Sequence, residues 1–254
     1  MIDYSIIIPT YNEESRATKT LTQVLSFMNS YSPAFEIILV DDGSVDKTAN
    51  LVEEYAKDHP EIKLVRNEHR GKGYSVRTGI LQANGKYIYT VDCDLSTPMD
   101  ELKRLANWIT DNDYDVVIAS REGLGAKREG EPLYRHLMGR VFNYLVQGLA
   151  LPGIKDSQCG FKLYKREVAK RVFSSLIVYG ENSKKLKRAF LGAFDVEVLF
   201  VAKTLGYKIK EVPVRWIFAK TTRLNPIVDS YKMARDVVRI KILGLKGAYA
   251  LPQQ

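Results

Sequence analysis

The sequence predicts an α/β protein, with a mostly parallel central sheet and helices on both faces, and three observations predict it. Short runs rich in valine, isoleucine, leucine and tyrosine alternate with longer segments of helical spacing through the first 119 residues, the order that winds a parallel sheet. These runs are continuously apolar, as strands covered on both faces must be. Polar, chemistry-bearing residues stand directly after four of them, at the strand ends where open parallel sheets bind ligands.

Five strands are expected at Tyr4–Ile8, Glu36–Val40, Ile62–Arg66, Tyr87–Val91 and Asp115–Ala119. Between them, Glu14–Ser30, Lys47–Asp58, Lys72–Asn84 and Pro98–Asn112 carry helical spacing, with Asp46 and Thr97 as helix starts and Gly85 as a stop. The regular alternation ends at Ser120. Residues 122–132 read as a charged, glycine-containing loop, and Leu133–Leu151 as a helix. Within that helix, Val141–Leu151 carries no charge but is shorter than the ~20 apolar residues that span a bilayer, so an interfacial segment and a buried core helix both stand as readings. Val178–Arg188 reads as a polar, lysine-rich mobile loop. An apolar helix, a strand over Lys208–Pro213 and a basic amphipathic helix near Asp229–Leu245 follow it. No linker or low-complexity tract divides the chain, so residues 1–254 read as one domain, a front part over 1–119 and a back part over 120–254.

Composition excludes wholesale disorder, collagen and repeat arrays: the 254 residues are 45% hydrophobic and 27% charged. Two cysteines are too few for a disulfide framework and no signal-peptide pattern opens the chain, so a reducing, cytoplasmic setting is expected. The net charge of +8 is unevenly spread, with −7 up to Ala119 and +15 beyond it. The basic back part calls for an anionic partner, namely nucleic acid, a membrane surface or a phosphorylated substrate, or else is a solvated face.

The strand ends carry the chemistry. The first is followed by Pro9-Thr10-Tyr11-Asn12-Glu13, the second by Asp41-Asp42-Gly43-Ser44, the third by Arg70-Gly71-Lys72-Gly73 and the fourth by Asp92-Cys93-Asp94. Two carboxylates one residue apart at a strand end can present oxygens to a hard divalent cation that also takes oxygens from a substrate diphosphate. An Asp-rich turn that merely caps the next helix is the bland alternative. The glycines around Lys72 allow backbone amides to approach a phosphate, but their spacing is neither a Walker A loop nor a dinucleotide fingerprint. A GTPase, a kinase and a nicotinamide dehydrogenase are therefore disfavoured.

These strand-end motifs resemble the family-2 glycosyltransferases of the GT-A nucleotide-diphospho-sugar transferase fold. Asp156-Ser157-Gln158-Cys159-Gly160-Phe161-Lys162-Leu163, with Phe194-Asp195-Val196-Glu197, narrows the resemblance to the polyprenyl-phosphate sugar synthases, the dolichyl-phosphate β-glucosyltransferases among them, over roughly Tyr4 to Leu243. The resemblance implies a nucleotide-sugar site of Pro9, Tyr11, Glu13, Asp42, Lys72, Asp92 and Cys93, with Lys72 near the pyrophosphate. It implies Mg2+ or Mn2+ on Asp92 and Asp94, with Ser96 as a further ligand position, and Arg223 on the departing diphosphate. Asp94, Asp195 and Arg223 form the expected catalytic set. The chain departs from the family where Thr221-Thr222-Arg223-Leu224 replaces a Gly-Ser-Lys-Leu pattern, and the N-terminal membrane anchor of eukaryotic relatives is expected to be absent.

The implied reaction inverts α-linked UDP-glucose to a β-linked glucosyl phosphate lipid on dolichyl or another polyprenyl phosphate. A phosphate monoester is mostly dianionic at neutral pH, so no strong base is required. Cations must instead hold two phosphates in line, and Arg121, Arg135, Arg140 and Lys162 are the candidates for the acceptor phosphate. Flanked by Arg135 and Arg140, the Val141–Leu151 run would lie in the interface of a membrane, peripheral on its cytoplasmic face. A core helix would instead fully bury Phe142, Leu145 and Leu149. Asp195 and Glu197 are open between orienting the acceptor site, acting as a base, and, for Asp195, starting a helix. Trp216 is an interfacial anchor or a core residue, Cys159 a buried residue, and His59, His69 and His136 structural or exposed. Competing functions are transfer from UDP-N-acetylglucosamine or GDP-mannose, transfer to a saccharide, and a nucleotide-sugar or nucleic-acid binding protein without catalysis. Nucleic acid is disfavoured, because the basic residues are not interleaved with stacking aromatics and the crevice is acidic.

Overall fold

The computed structural model describes residues 2–186, 188, 190, 192–219 and 226–250. Nine strands occur among them: β1 (Tyr4–Thr10), β2 (Phe35–Asp41), β3 (Ile62–Arg66), β4 (Tyr87–Thr90), β5 (Val116–Ser120), β6 (Lys127–Glu129), β7 (Lys162–Lys165), β8 (Ile209–Pro213) and β9 (Arg215–Ile217). Seven form one sheet in the order β3-β2-β1-β4-β7-β5-β8, and β6 pairs with β9 in a second. Every pairing is parallel except those of β7, which runs antiparallel between β4 and β5.

The apolar runs are continuous because successive side chains alternate between two cores. Ile6, Ile8, Ile37 and Leu39 belong to one cluster, and Ile7, Ile38 and Val40 to the other. The first cluster is roofed by α1 (Ala17–Tyr31), α2 (Thr48–Ala56) and α4 (Glu101–Thr110), through residues such as Leu21, Met28, Val52 and Leu105. Opposite lie α3 (Lys72–Gln82), α6 (Arg166–Ser174) and α7 (Phe194–Thr204), which contribute Val76, Ile80, Phe173 and Leu199. Two further helices, α5 (Leu133–Leu149) and α8 (Pro226–Leu245), pack on that side and against each other.

The five front strands and four front helices occur where the pattern predicts, with no end moved by more than three residues. The back part holds the differences. The pattern does not show β7, because its buried positions include Lys162, a residue that reads as solvent-exposed. The charged loop over 122–132 contains β6, paired with β9. Gly85 is not the helix stop, since α3 ends at Gln82 and the Gly85 amide instead donates to Ser5 Oγ (2.8 Å) on β1. Nor does Thr97 cap α4; that helix begins four residues later, and the Thr97 hydroxyl lies 3.7 Å from Cys159 Sγ.

α5 satisfies neither reading of its apolar run completely. Phe142 and Leu145 pack against the core only in part and Leu149 is exposed, so the full burial expected of a core helix is absent. Its outer face leaves Leu133, Tyr134, Leu137, Met138, Val141 and Tyr144 uncovered. Among the described residues no helix is long and apolar enough to cross a membrane.

Candidate active site

The carboxyl ends of β1, β2 and β4 meet at one edge of the sheet because the three strands are parallel and adjacent. The turn after β1 is pinned to the turn after β2. Ser44 Oγ accepts the Asn12 amide (2.8 Å), Thr48 Oγ1 accepts the Glu13 amide (2.7 Å), and Asn12 Oδ1 accepts the Val45 amide (2.9 Å). Asn12 takes up a left-handed φ of 53°, which asparagine tolerates better than most residues. Around these turns lies a cavity of about 270 Å³.

Its walls include every residue expected of the nucleotide-sugar site: Pro9, Tyr11, Glu13, Asp42, Lys72, Asp92 and Cys93. Asp42 is buried and fully engaged, accepting the Arg70 and Gly71 amides, the Ser75 hydroxyl and His69 Nδ1 (2.7 Å). It therefore shapes the turn that precedes Lys72. Burial pushes the Cys93 thiol up to about 12, so this cysteine is a neutral wall rather than a nucleophile.

Asp92 and Asp94 stand together on the cavity floor with Ser96 beside them. The Ser96 amide donates to Asp94 Oδ1 (2.9 Å), and Lys72 Nζ contacts Asp92 Oδ1. Burial raises the Asp92 carboxyl, but Lys72 beside it more than reverses this and leaves it below the ordinary value. Asp94 is held above its ordinary value by desolvation from the surrounding protein and then by the Asp92 charge. Two crowded carboxylates, one of them against Lys72, fit a divalent cation. Among the described residues no set of three or more His, Cys, Asp or Glu could hold a metal ion, so such an ion would complete its shell with substrate oxygens and water.

Gly160 reaches the same floor from the far side. A Cβ on this residue would fall onto the Asp92 carboxylate, and Thr90 Oγ1 fixes the segment by donating to the Gly160 carbonyl (2.8 Å). Lys162, two residues on, is buried and contacts Asp195 Oδ1 and the Cys159 carbonyl. Asp195 sits in the first turn of α7, raised by burial, in a small space behind Lys72 and Asp92 rather than in the main cavity. Burial alone would lower the Lys72 ammonium, and the Asp92 and Asp195 carboxylates reverse that and raise it.

The four cations expected at the acceptor phosphate separate into different settings. Arg121 lines the cavity but is bound in bidentate fashion to buried Asp156 (2.7 and 2.8 Å). Despite its burial, Asp156 is held down to about 2 by that guanidinium. Arg140 lies outside the cavity wall, 3.3 Å from Glu122. Lys162 is sequestered by Asp195. Arg135 lines the cavity, 5.0 Å from the centre of the Phe218 ring, and has no carboxylate partner among the described residues. Arg223 lies outside the described residues.

Several wall residues escaped the sequence reading. His69 stacks on Tyr11 with ring centres 4.0 Å apart and 5° between planes, so it lines the cavity while its Nδ1 holds Asp42. Trp216 is buried in the wall with Arg121 and Arg128 over its ring, which removes it as an interfacial anchor. Gln158, Phe190 and Phe218 complete that side. His69 and the Phe190, Trp216 and Phe218 rings converge from segments more than 100 residues apart, so sequence proximity does not reveal them. Glu197 is fully buried and faces away from the cavity, accepting three consecutive amides from Ile177 to Tyr179.

Comparison with known proteins accords with this geometry. The family model described as Glycosyl transferase family 2 matches residues 5–173. A dolichyl-phosphate beta-glucosyltransferase of Dictyostelium discoideum is 38% identical over 263 residues, covering 97% of this chain and 76% of that protein. The Homo sapiens protein of the same name is 34% identical over 265 residues, covering 98% and 78%. Among solved structures, glucosyl-3-phosphoglycerate synthase from Mycobacterium tuberculosis with Mn2+, UDP and glucosyl-3-phosphoglycerate aligns with a TM-score of 0.63 at 18% identity, covering 100% of this chain and 82% of that one. A Pyrobaculum calidifontis mannosyltransferase with GDP-Man and Mn2+ aligns at 0.58 and 20% identity, covering 99% and 76%.

Proposed function

The chain belongs to glycosyl transferase family 2, and from that premise we propose that it moves glucose from UDP-glucose to dolichyl phosphate, forming a β-linked glucosyl phosphate lipid. Its relatives of that name support the acceptor and the sugar. One observation carries the reading within this chain: α5 delivers Arg135 into the cavity wall and exposes Leu133, Tyr134, Leu137, Met138 and Val141 on its outer face. A helix with a phosphate-binding cation at its inner end and an apolar outer stripe suits an acceptor that is a phosphate on a lipid.

Each residue then has a task. Asp92 and Asp94 hold a divalent cation, Mg2+ or Mn2+, which supplies charge neutralisation for the departing diphosphate. Lys72 keeps Asp92 ionised and faces the same phosphates. The acceptor phosphate brings its own anionic oxygen, so the protein contributes positioning rather than proton abstraction. Arg135, which has no carboxylate partner among the described residues, is the cation that receives it, while Arg121 is held by Asp156 as part of the wall. Asp195 and Lys162 act behind the floor, fixing the field around Lys72. The exposed outer stripe of α5 supports a peripheral seat in a membrane interface, which this reading puts on the cytoplasmic face.

Transfer of labelled sugar from UDP-glucose to a short dolichyl phosphate, with and without chelator, tests this reading. Labelled lipid that disappears with chelator is the expected result. A donor panel with UDP-N-acetylglucosamine and GDP-mannose fixes the sugar, and no lipid product from any donor would overturn the assignment.

A further inference from the structure

The segment that leads into β7 is anchored at both ends. Asp156 accepts the Arg121 amide and guanidinium (2.7–2.8 Å), and its own amide donates to Glu211 Oε1 (2.7 Å). At the other end Thr90 Oγ1 donates to the Gly160 carbonyl (2.8 Å), and the Phe161 carbonyl accepts the Ala119 amide (3.0 Å). Gln158 lies between these anchors, and its amide donates to Asp156 Oδ1 (3.2 Å), so its backbone is fixed. Its side chain is not. Gln158 forms part of the cavity wall, yet its Nε2 is buried and has no hydrogen-bond partner among the described residues. A buried donor left unpaired is unfavourable, and turning such an amide towards a ligand breaks no existing bond. Its wall neighbours are unlike it: Gly160 has no side chain, and the Cys159 thiol, raised by burial, lies 3.7 Å from the Thr97 hydroxyl. Ser157 Oγ is also without a partner, but Ser157 is fully buried and does not line the cavity.

The order of the strands places Gln158 along the donor. At the edge that carries the site the sheet runs β2, β1, β4, β7, β5, and β7, being antiparallel to its neighbours, presents its beginning there beside their ends. Neighbouring strands lie about 4.8 Å apart. A nucleotide sugar whose nucleoside rests on the β1 and β2 turns, and whose diphosphate lies over Asp92 and Asp94, therefore has its hexose at the next position, the start of β7. Arg121 stands one strand further on, at the end of β5.

We infer that Gln158 binds the hexose of the donor, its carboxamide turning to donate to and accept from adjacent sugar hydroxyls. The inference rests on the nucleotide-sugar reading of this cavity and deepens it by naming a ligand for the sugar. A carboxamide suits the task, because it offers two donor hydrogens and an acceptor oxygen at a fixed spacing to hydroxyls that each donate and accept. A carboxylate at the same place would set a third negative charge near Asp92 and Asp94, against the diphosphate.

Gln158→Met keeps the reach of the side chain and removes the carboxamide. Calorimetry with Mn2+ present should show UDP-glucose bound about tenfold more weakly than by the parent, the effect of losing one to two hydrogen bonds, and bare UDP bound within about twofold of the parent. The thermal midpoint should stay level or rise, because the substitution removes a buried amide that has no partner. Equal affinity for UDP-glucose in variant and parent would overturn the inference. So would an equal loss for UDP and UDP-glucose, which marks a contact with the diphosphate or a merely structural role. If the donor panel selects another nucleotide sugar, the functional reading fails, and the same comparison between that donor and its bare diphosphate still decides the role of Gln158.

Discussion

A methyl group at residue 160 would occupy the space of the Asp92 carboxylate. Gly160→Ala should therefore push Asp92 off the cavity floor and weaken binding of Mn2+ with UDP, measured by calorimetry, by tenfold or more, about 1.4 kcal/mol. Unchanged affinity would show that Asp92 can shift without cost. Arg121 and Asp156 give a second prediction at this scale. The Asp156 carboxyl lies near 2 in the fold, below its ordinary 3.8, so the pair contributes its full stability above about pH 4 and loses it as pH falls towards 2. Asp156→Ala, which strands a largely buried guanidinium, should cost about 3–5 kcal/mol in urea unfolding at pH 7. That cost should shrink between pH 4 and pH 2, and a cost that is constant with pH would contradict the pairing. Such residues were legible in sequence where they stand just past a strand end, as Asp92 and Asp94 do, or in a glycine motif that opens the next helix, as Lys72 does. His69, Phe190 and Phe218 were not, because only the fold brings their loops together.

Elements built from a single uninterrupted pattern could be read directly, and those that bury charge could not. β1 to β5 are apolar runs whose alternation between two cores survives any change of neighbour. β7 carries Lys162 into the interior, where Asp195 and the Cys159 carbonyl satisfy it, so hydropathy points the wrong way. α5 is a different case: its uncharged run reads equally as an interfacial segment or a core helix, and the structure buries one side of it and leaves the other facing outward. α8 packs beside it and exposes Tyr231, Val238, Ile242 and Leu245 on a common face. A membrane interface would cover both stripes. Leu137→Glu combined with Val141→Glu should weaken co-sedimentation with phosphatidylcholine/phosphatidylserine vesicles at least tenfold. Transfer to a short, water-soluble polyprenyl phosphate should persist, since neither residue lines the cavity. Equal sedimentation of variant and parent would remove α5 from the membrane contact.

Across the whole molecule the charge is divided, −7 over residues 1–119 and +15 over residues 120–254. The two parts meet at the active site, where the front contributes Asp92 and Asp94 and the back contributes Arg121 and Arg135. On the proposed function, the donor's diphosphate would meet a cation held at close range inside the cavity, an interaction that salt screens weakly. On the same reading, the back part's surface cations would act on an anionic membrane through solvent, over a distance comparable to the Debye length of about 8 Å at physiological ionic strength. The two substrates should therefore respond differently to salt. Raising NaCl from about 50 mM to about 500 mM should lower affinity for phosphatidylserine-containing vesicles by an order of magnitude or more, at roughly 1 kcal/mol per engaged basic residue. The KM for vesicle-borne dolichyl phosphate should rise in step, while the KM for UDP-glucose changes by less than about twofold. A parallel rise in both constants would mean that the basic back part serves the nucleotide rather than the membrane. Since α5 carries both Arg135 and the outer apolar stripe, the split response is what a lipid phosphate entering from the surface requires.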